Sequence, residues 1–275
     1  MVHKKNWGKI SFYLIASIIA MVILIPFFWM ISTSLKERGA LMTIPIQWIP
    51  DKVSFEAYQK LFKVFPFGRS ILNSFYVAVM TTFITISSAA MAAYVFAKIE
   101  FKGREKIFAL YLATMMIPGQ VTMIPNFLVL KYMGLLNTFT GLMLPSLINA
   151  FGTFILRQNM MTIPNDYIEA AVIDGASHFT IFYKVILPLN KPILAALAII
   201  TFMGTWNSYL WPLIILSSKD KMTLPVGLSL LNGQYGSQYN LLMAGGLMSI
   251  IPILIMFLFA QKYFEKGLSL GGIKG

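Results

Sequence analysis

EAAVIDGASHFTIFYKVILP, residues 169–188, is a short polar interval set between two apolar segments long enough to cross a membrane. Asp166, just ahead of it, is a favoured N-cap residue, and Glu169 three positions later completes a capping-box spacing. This predicts a helix with Ile168, Ala171 and Val172 on one face, interrupted at Gly175. A second short helix is expected from Ser177, with Phe179, Phe182 and Ile186 on one face, before Pro188 opens the next segment. The result is a helix–Gly–helix hairpin at a membrane surface, carrying an apolar ridge suited to docking on another protein. An amphipathic helix lying in the headgroup layer is the alternative. It has no need of Gly and Leu-Pro at these offsets.

Outward from this stretch, apolar residues make up 57% of the 275 residues and charged ones 12%, roughly half the charged share of a soluble domain. Six windows (10–35, 70–97, 107–130, 132–156, 192–218 and 222–261) contain no Asp, Glu, Lys, Arg or His. Each exceeds the ~20 residues that a helix needs to cross the hydrocarbon core. The last is longer than a span, and its first part, 222–240, is rich in Gly, Gln, Asn and Ser and reads as an external loop. Runs this apolar without alternation are helices in lipid. The expected fold is therefore all-α, a polytopic membrane protein with six transmembrane helices near 11–32, 71–97, 107–127, 139–157, 189–214 and 241–261. The first follows Lys4, Lys5 and Lys9, is longer than a signal-peptide core, and has no small-residue cleavage site in 33–38; it is expected to stay as an anchor.

The net charge of +12 sits mainly beside helix ends, where it orients the chain and meets anionic lipid rather than nucleic acid. With the N-terminus inside, inner segments hold 13 Lys and Arg against 9 outside. Both termini and the 169–188 stretch are then expected in the cytoplasm. A single transmembrane domain over 1–275 is expected, with the polar loop at about 159–188. The amphipathic segment SFEAYQKLF (54–62) is expected to rest, solvated, on the outer membrane surface. Pro118-Gly119, Pro125, Pro145, Gly204, Pro212, Gly245-Gly246 and Pro252 fall within expected spans and predict kinks or close helix approaches, as in broken helices around a transport cavity.

The chain has no cysteine, which excludes disulfides and thiolate metal sites. No G-x-x-x-x-G-K-[ST] phosphate loop occurs, so no ATP hydrolysis by this chain alone is expected. The two histidines, His3 and His178, fit neither a zinc site nor a Ser-His nucleophile, and His178 is expected to be solvated or at an interface. No enzyme and no cofactor in this chain are expected. The spans lack the ionisable residues that ion-coupled carriers place near the midplane. That favours a neutral, hydroxyl-rich solute moved by energy from elsewhere. Candidate groups for its path are Gln120 and Asn126 in the third span, Asn149 in the fourth, and Trp206, Asn207, Tyr209 and Trp211 in the fifth. Each residue type also has an ordinary role in interfacial belts or helix–helix hydrogen bonds.

The stretch 169–188 resembles the EAA loop of the permease subunits of binding-protein-dependent ABC importers. Glu169, Ala170, Ala171, Gly175, Leu187 and Pro188 match that pattern at its spacing; Val185 stands where Ile is more usual. The segments at 116–138, 205–216, 222–228 and 267–275 further resemble the smaller permease subunit of carbohydrate importers of the maltose-permease type. The resemblance covers most of the chain from about Ile71 and is loose before it. It implies a type I importer architecture in the bacterial cytoplasmic membrane and a second permease subunit, so that the pair is a heterodimer. Two cytoplasmic ATPases binding ATP and Mg, and an external sugar-binding protein, complete the implied assembly. It assigns ATPase coupling to Glu169, Ala170, Ala171, Asp174, Gly175, Leu187 and Pro188, with a basic partner for Glu169. The tail 267–275 is implied to lie against the ATPases and the loop 216–240 to meet the binding protein, while the partner permease makes most sugar contacts. A polyol or glycerol-phosphate cargo stays open. The alternative is a self-sufficient secondary transporter or channel for a neutral solute.

Overall fold

The computed structural model describes residues 4–37, 45–231 and 239–271. Among them every regular element is helical: α1 (Lys4–Ser34), α2 (Glu56–Val64), α3 (Phe67–Lys98), α4 (Arg104–Ala113), α5 (Gly119–Tyr132), α6 (Phe139–Met143), α7 (Ala150–Met161), α8 (Asp166–Ile173), α9 (His178–Ile181), α10 (Leu187–Leu189), α11 (Lys191–Trp206), α12 (Leu210–Ile215), α13 (Leu224–Ser229) and α14 (Tyr239–Gly271). The all-α reading holds. Of the tail 267–275, residues 267–271 continue α14, whereas 272–275 lie outside the described residues, as do 232–238 of the expected outer loop.

Three helices are long and apolar enough to cross a membrane unbroken, in α1, α3 and α14. The other three apolar windows form bent pairs, giving six spans if each pair counts as one. Residues 104–116 and α5 meet at 98°, 139–147 and α7 at 43°, and 178–189 and α11 at 80°. Pro118 sits in extended backbone (ψ 134) and caps α5, so a continuous third span over 107–127 does not form. The ring fixes φ and removes the N–H that a through-helix would need. The fifth span also differs from expectation. It begins at Lys191 and ends at Trp206, and Pro212 lies in the separate helix α12 rather than in the span.

Packing groups the chain into two compact units, Met1–Phe67 with Gly227–Ile251, and Gly68–Val226 with Pro252–Gly275. In the first, α1 exposes its apolar length but buries Ser32, Thr33 and Ser34 at its end. Ser32 Oγ donates to Trp48 O at 2.6 Å, and Ser34 Oγ lies 2.9 Å from the Tyr58 hydroxyl. Lys36 lies over the Trp29 ring, and burial lowers its ammonium pKa from the ordinary value. α2 was expected to rest on the membrane surface. Instead Ala57 and Leu61 are buried, and Leu61 packs where a Cβ on Gly245 would intrude.

In the second unit α3 is the common wall. Val77 belongs to one core with Leu130, Leu142, Met143, Ile215 and Leu216. Ala89, Ala90, Ala93 and Tyr94 belong to another, with Leu156, Met160, Ile181, Phe182, Ile186 and Leu197. Gly152 of α7 lets Ala89 and Leu197 approach so closely that an added Cβ would sit 3.3 and 3.1 Å from them, the small-residue packing common between membrane helices.

Candidate functional site

Two places bring the sequence-derived residues together, a hairpin at 165–190 and a cavity along α3. In the hairpin, α8 starts at Asp166 and its cap is Asn165, whose carbonyl accepts from the backbone N–H groups of Ile168 (2.7 Å) and Glu169 (3.0 Å). The expected Asp166–Glu169 capping box does not form, because the helix begins one residue earlier than that motif requires. The Asn165 side chain does not cap either. Its Oδ1 accepts from Lys98 Nζ at 2.8 Å, and the same ammonium donates to Ile163 O at 2.6 Å. The last residue of α3 thus holds the entry to α8.

α8 ends in a Schellman pattern: Ala176 N–H donates to Ala171 O and Gly175 N–H to Val172 O, both 2.9 Å, with Gly175 at φ +78. No atom lies within 4 Å of where a Gly175 Cβ would stand. The backbone conformation, not crowding, therefore calls for glycine. Ser177 caps α9, its Oγ accepting from Thr180 N–H at 3.3 Å. Ile181, Phe182 and Ile186 are buried against α3, whereas Phe179, expected on that face, is 69% exposed and stacks beside Tyr183. Phe179 stands about 200° around α9 from Ile181, so the face that buries Ile181 turns Phe179 outward. A π-helical turn follows over Phe182–Ile186, in which Leu187 N–H donates back to Phe182 O. Pro188 has no N–H for the carbonyl one turn back and its ring would strike it, so the helix widens by one residue there. Asn190, fully buried, donates through Nδ2 to Ile186 O at 2.7 Å, at the 80° bend that precedes α11. The Tyr94 hydroxyl lies 3.2 Å from His178 Nδ1, a second polar link from α3 to the hairpin.

The two sides of this hairpin differ. Ile168 and Ala171 pack inward and Leu187 is half-buried, while Glu169, Ala170, Asp174, Gly175 and Pro188 are exposed. Val172, Ile173 (85% exposed), Phe179 and Tyr183 add apolar surface to the outward side.

The cavity, about 490 Å³, is lined from α3, α5, α7, α11, α12 and the turn at 145–149. It brings together Asn126, Asn149 and Trp211 of the sequence-derived path residues. Asn149 Oδ1 caps α7 by accepting from Gly152 N–H at 2.6 Å, and Trp211 Nε1 donates to Leu142 O at 3.0 Å. Gln120, Trp206, Asn207 and Tyr209 are not among its lining. Trp206 is buried and stacked on Phe202, Asn207 Nδ2 bonds back to Met203 O at 3.0 Å, and Gln120 and Tyr209 are exposed elsewhere. Sequence reasoning overlooked the hydroxyls that also line it: Thr81, Thr85, Ser146, Thr201 and Thr205. Their signal was the spacing, since Thr81/Thr85 and Thr201/Thr205 are i, i+4 pairs on otherwise apolar helices.

Near the hairpin, Arg157 is buried in α7. Its Nη2 donates to Glu105 Oε1 at 2.6 Å, its Nε to Phe96 O at 3.0 Å, and its guanidinium lies 4.0 Å from the Phe108 ring centre. α3, α4 and α7 are pinned together by this one side chain.

Residues 85–270 match the family model described as the inner membrane component of binding-protein-dependent transport systems. The arabinooligosaccharides transport system permease protein AraQ of Bacillus subtilis is 37% identical over 97% of this chain and 96% of its own length. The sn-glycerol-3-phosphate transport system permease protein UgpE of Pectobacterium atrosepticum is 38% identical over 74% of this chain and 73% of its own. Among solved structures, a bacterial ABC transporter involved in the import of the acidic polysaccharide alginate superimposes with a TM-score of 0.82 at 27% identity, over 96% of this chain and 99% of that one. With a match spanning both the hairpin and most of the cavity helices, the chain belongs to the family of multi-pass inner-membrane components of binding-protein-dependent transport systems.

Proposed function

We propose that this chain is one of two permease subunits of an ATP-driven importer of sugars or oligosaccharides, and that the α8–α9 hairpin is its dock for a cytoplasmic ATPase. The observation that carries this is the hairpin's two-sidedness. Its inner side is fixed to α3 through Lys98, Tyr94 and the Ile181/Phe182/Ile186 core, while Glu169, Ala170, Ile173 and Phe179 are exposed. A rigid, partly apolar projection transmits force as a body. Asp174 and Gly175 close the docking helix, and Leu187-Pro188 aim the hairpin at the bend before α11.

Under this reading ATP and Mg are bound by partner ATPases, and this chain hydrolyses nothing. Both termini and the hairpin are cytoplasmic. An external binding protein delivers solute to the segment at 216–231 and the loop that follows it. The carbohydrate class is supported by the solutes for which the relatives are named, although those include both neutral and anionic compounds. Gentle purification with mass spectrometry of co-purifying chains tests the assembly. A second permease and a phosphate-loop ATPase are expected, and their absence from an intact, transport-competent preparation would refute it.

A further inference from the structure

The second unit contains an uncharged polar cavity in the middle of an apolar wall. Along α3 the i, i+4 row reads Val77, Thr81, Thr85, Ala89, Ala93. Val77 enters one hydrophobic core and Ala89 and Ala93 the other, and the two threonines between them line the cavity. Thr201 and Thr205 of α11 repeat the spacing on its other side. Polar side chains in membrane helices normally find a partner on a neighbouring helix or on their own backbone. Here Thr81, Asn126, Ser146, Thr201 and Thr205 make no side-chain hydrogen bond to any described residue. Asn149 spends only its oxygen on the α7 cap, leaving its amide donors free. The Trp211 indole N–H is already bound, so the ring offers its apolar surface. These groups are accessible rather than sealed off, so they can exchange water for the hydroxyls of a solute. The volume, about 490 Å³, lies within the ~300–1,000 Å³ range of small-molecule sites.

No Lys, Arg, His, Asp or Glu lines this cavity. An anion entering it would shed water without gaining a counter-charge. A polyhydroxylated neutral solute meets hydroxyls and amides that both donate and accept, and an aromatic face for its C–H surface. We propose that the cavity is a contact site for an uncharged, polyhydroxylated solute in transit. This subunit then hydrogen-bonds its cargo and disfavours anions, rather than leaving recognition to the partner permease and the binding protein. The proposal rests on the importer reading above.

The complete importer, reconstituted in proteoliposomes with ATP and a neutral pentose oligosaccharide as probe, tests it. This chain has no native cysteine, so Thr205→Cys gives a single thiol in the cavity and Lys52→Cys one at an exposed position outside it, in a complex whose other subunits carry no accessible thiol. During turnover the oligosaccharide should slow modification of Thr205→Cys by a neutral thiosulfonate reagent and leave Lys52→Cys unaffected. A sulfonate-bearing reagent should react about tenfold more slowly than the neutral one at Thr205→Cys, each normalised to Lys52→Cys, the factor expected from ~1.4 kcal/mol of discrimination. Thr205→Val, near-isosteric, combined with Asn126→Leu should lower solute moved per ATP hydrolysed about tenfold, as loss of one or two hydrogen bonds predicts. That ratio does not depend on protein level. Absence of protection, equal reaction with the two reagents, or an unchanged ratio in the double variant each overturns the proposal. If the unsubstituted importer accumulates no neutral oligosaccharide with ATP, the importer reading itself fails, a result distinct from these.

Discussion

Gly175 holds φ +78 with open space around it, so substitutions there separate backbone strain from steric clash. A non-glycine residue in that conformation costs ~1–2 kcal/mol, and Asn tolerates it best. Gly175→Asn should retain most uptake, Gly175→Ala less, and Gly175→Val least, because a β-branched residue is also stiff at χ1. Uptake normalised to membrane protein level gives the order, and normal uptake by Gly175→Val would show that the hairpin turn does not matter. Glu169 is a different case. Since Asn165 caps α8 through its carbonyl, Glu169→Ala removes no capping box and should leave thermal stability in detergent within ~0.5 kcal/mol, as for an ordinary surface position. It should still weaken ATPase co-purification about tenfold, the loss of one charge-assisted contact. Unchanged co-purification together with unchanged transport would reduce Glu169 to a solvated helix-start residue.

At the scale of elements, neighbouring segments are held by directional contacts, and two of them invite substitution. Arg157 bridges α7 to Glu105 and Phe96 while packing on Phe108. Lysine keeps the charge but not the planar fork or its stacking. Arg157→Lys should therefore destabilise by about 1–3 kcal/mol, read as a lowered thermal midpoint in detergent; an unchanged midpoint would mean the staple is dispensable. Asn137 (φ +56) receives the backbone N–H groups of Ser217 and Ser218 on its Oδ1, both at 3.2 Å, and donates to Ser218 Oγ at 2.6 Å. Asn137→Ala loses all three contacts and keeps the strained backbone, so proteolysis in the 217–221 turn should rise, whereas Asn137→Gly relieves the strain and should be milder. Equal susceptibility of both variants and the unsubstituted protein would contradict this. Little of this was legible beforehand. The hairpin's two helices and their Gly break follow from cap chemistry and local spacing, which a sequence displays directly. The Phe179 face was misplaced because Ile181, two residues on and about 200° around the helix, is the side chain that packs on α3, and the spacing from Phe179 to Phe182 alone did not reveal it. Nothing local to Arg157 singled it out, because its partners, Phe96 and Glu105, are more than fifty residues away.

Across the whole molecule, six apolar windows were visible because hydropathy is a sum, and a sum survives bending. The bends were not visible, since Pro118 inside an apolar window is compatible with a mild kink as well as with the 98° break that forms. The cavity was half legible. Asn126 and Asn149 stand out as amides in apolar runs, but threonines pass as ordinary membrane residues until their partners prove missing. What the whole chain contains also limits what it does alone. It carries no phosphate-loop pattern, and its apolar windows carry no ionisable residue that could bind a coupling proton or sodium near the midplane. On the proposed reading neither chemical nor electrochemical energy enters within this chain, and work is delivered at the outward side of the hairpin. The purified chain, freed of every ATPase and reconstituted into liposomes, should hydrolyse no ATP. It should also accumulate no sugar under an imposed proton or sodium gradient. Adding back the second permease, the ATPases and the loaded binding protein should restore both activities together. Gradient-driven accumulation by the chain alone would place the energy source inside these helices and overturn the assignment of the hairpin as a dock.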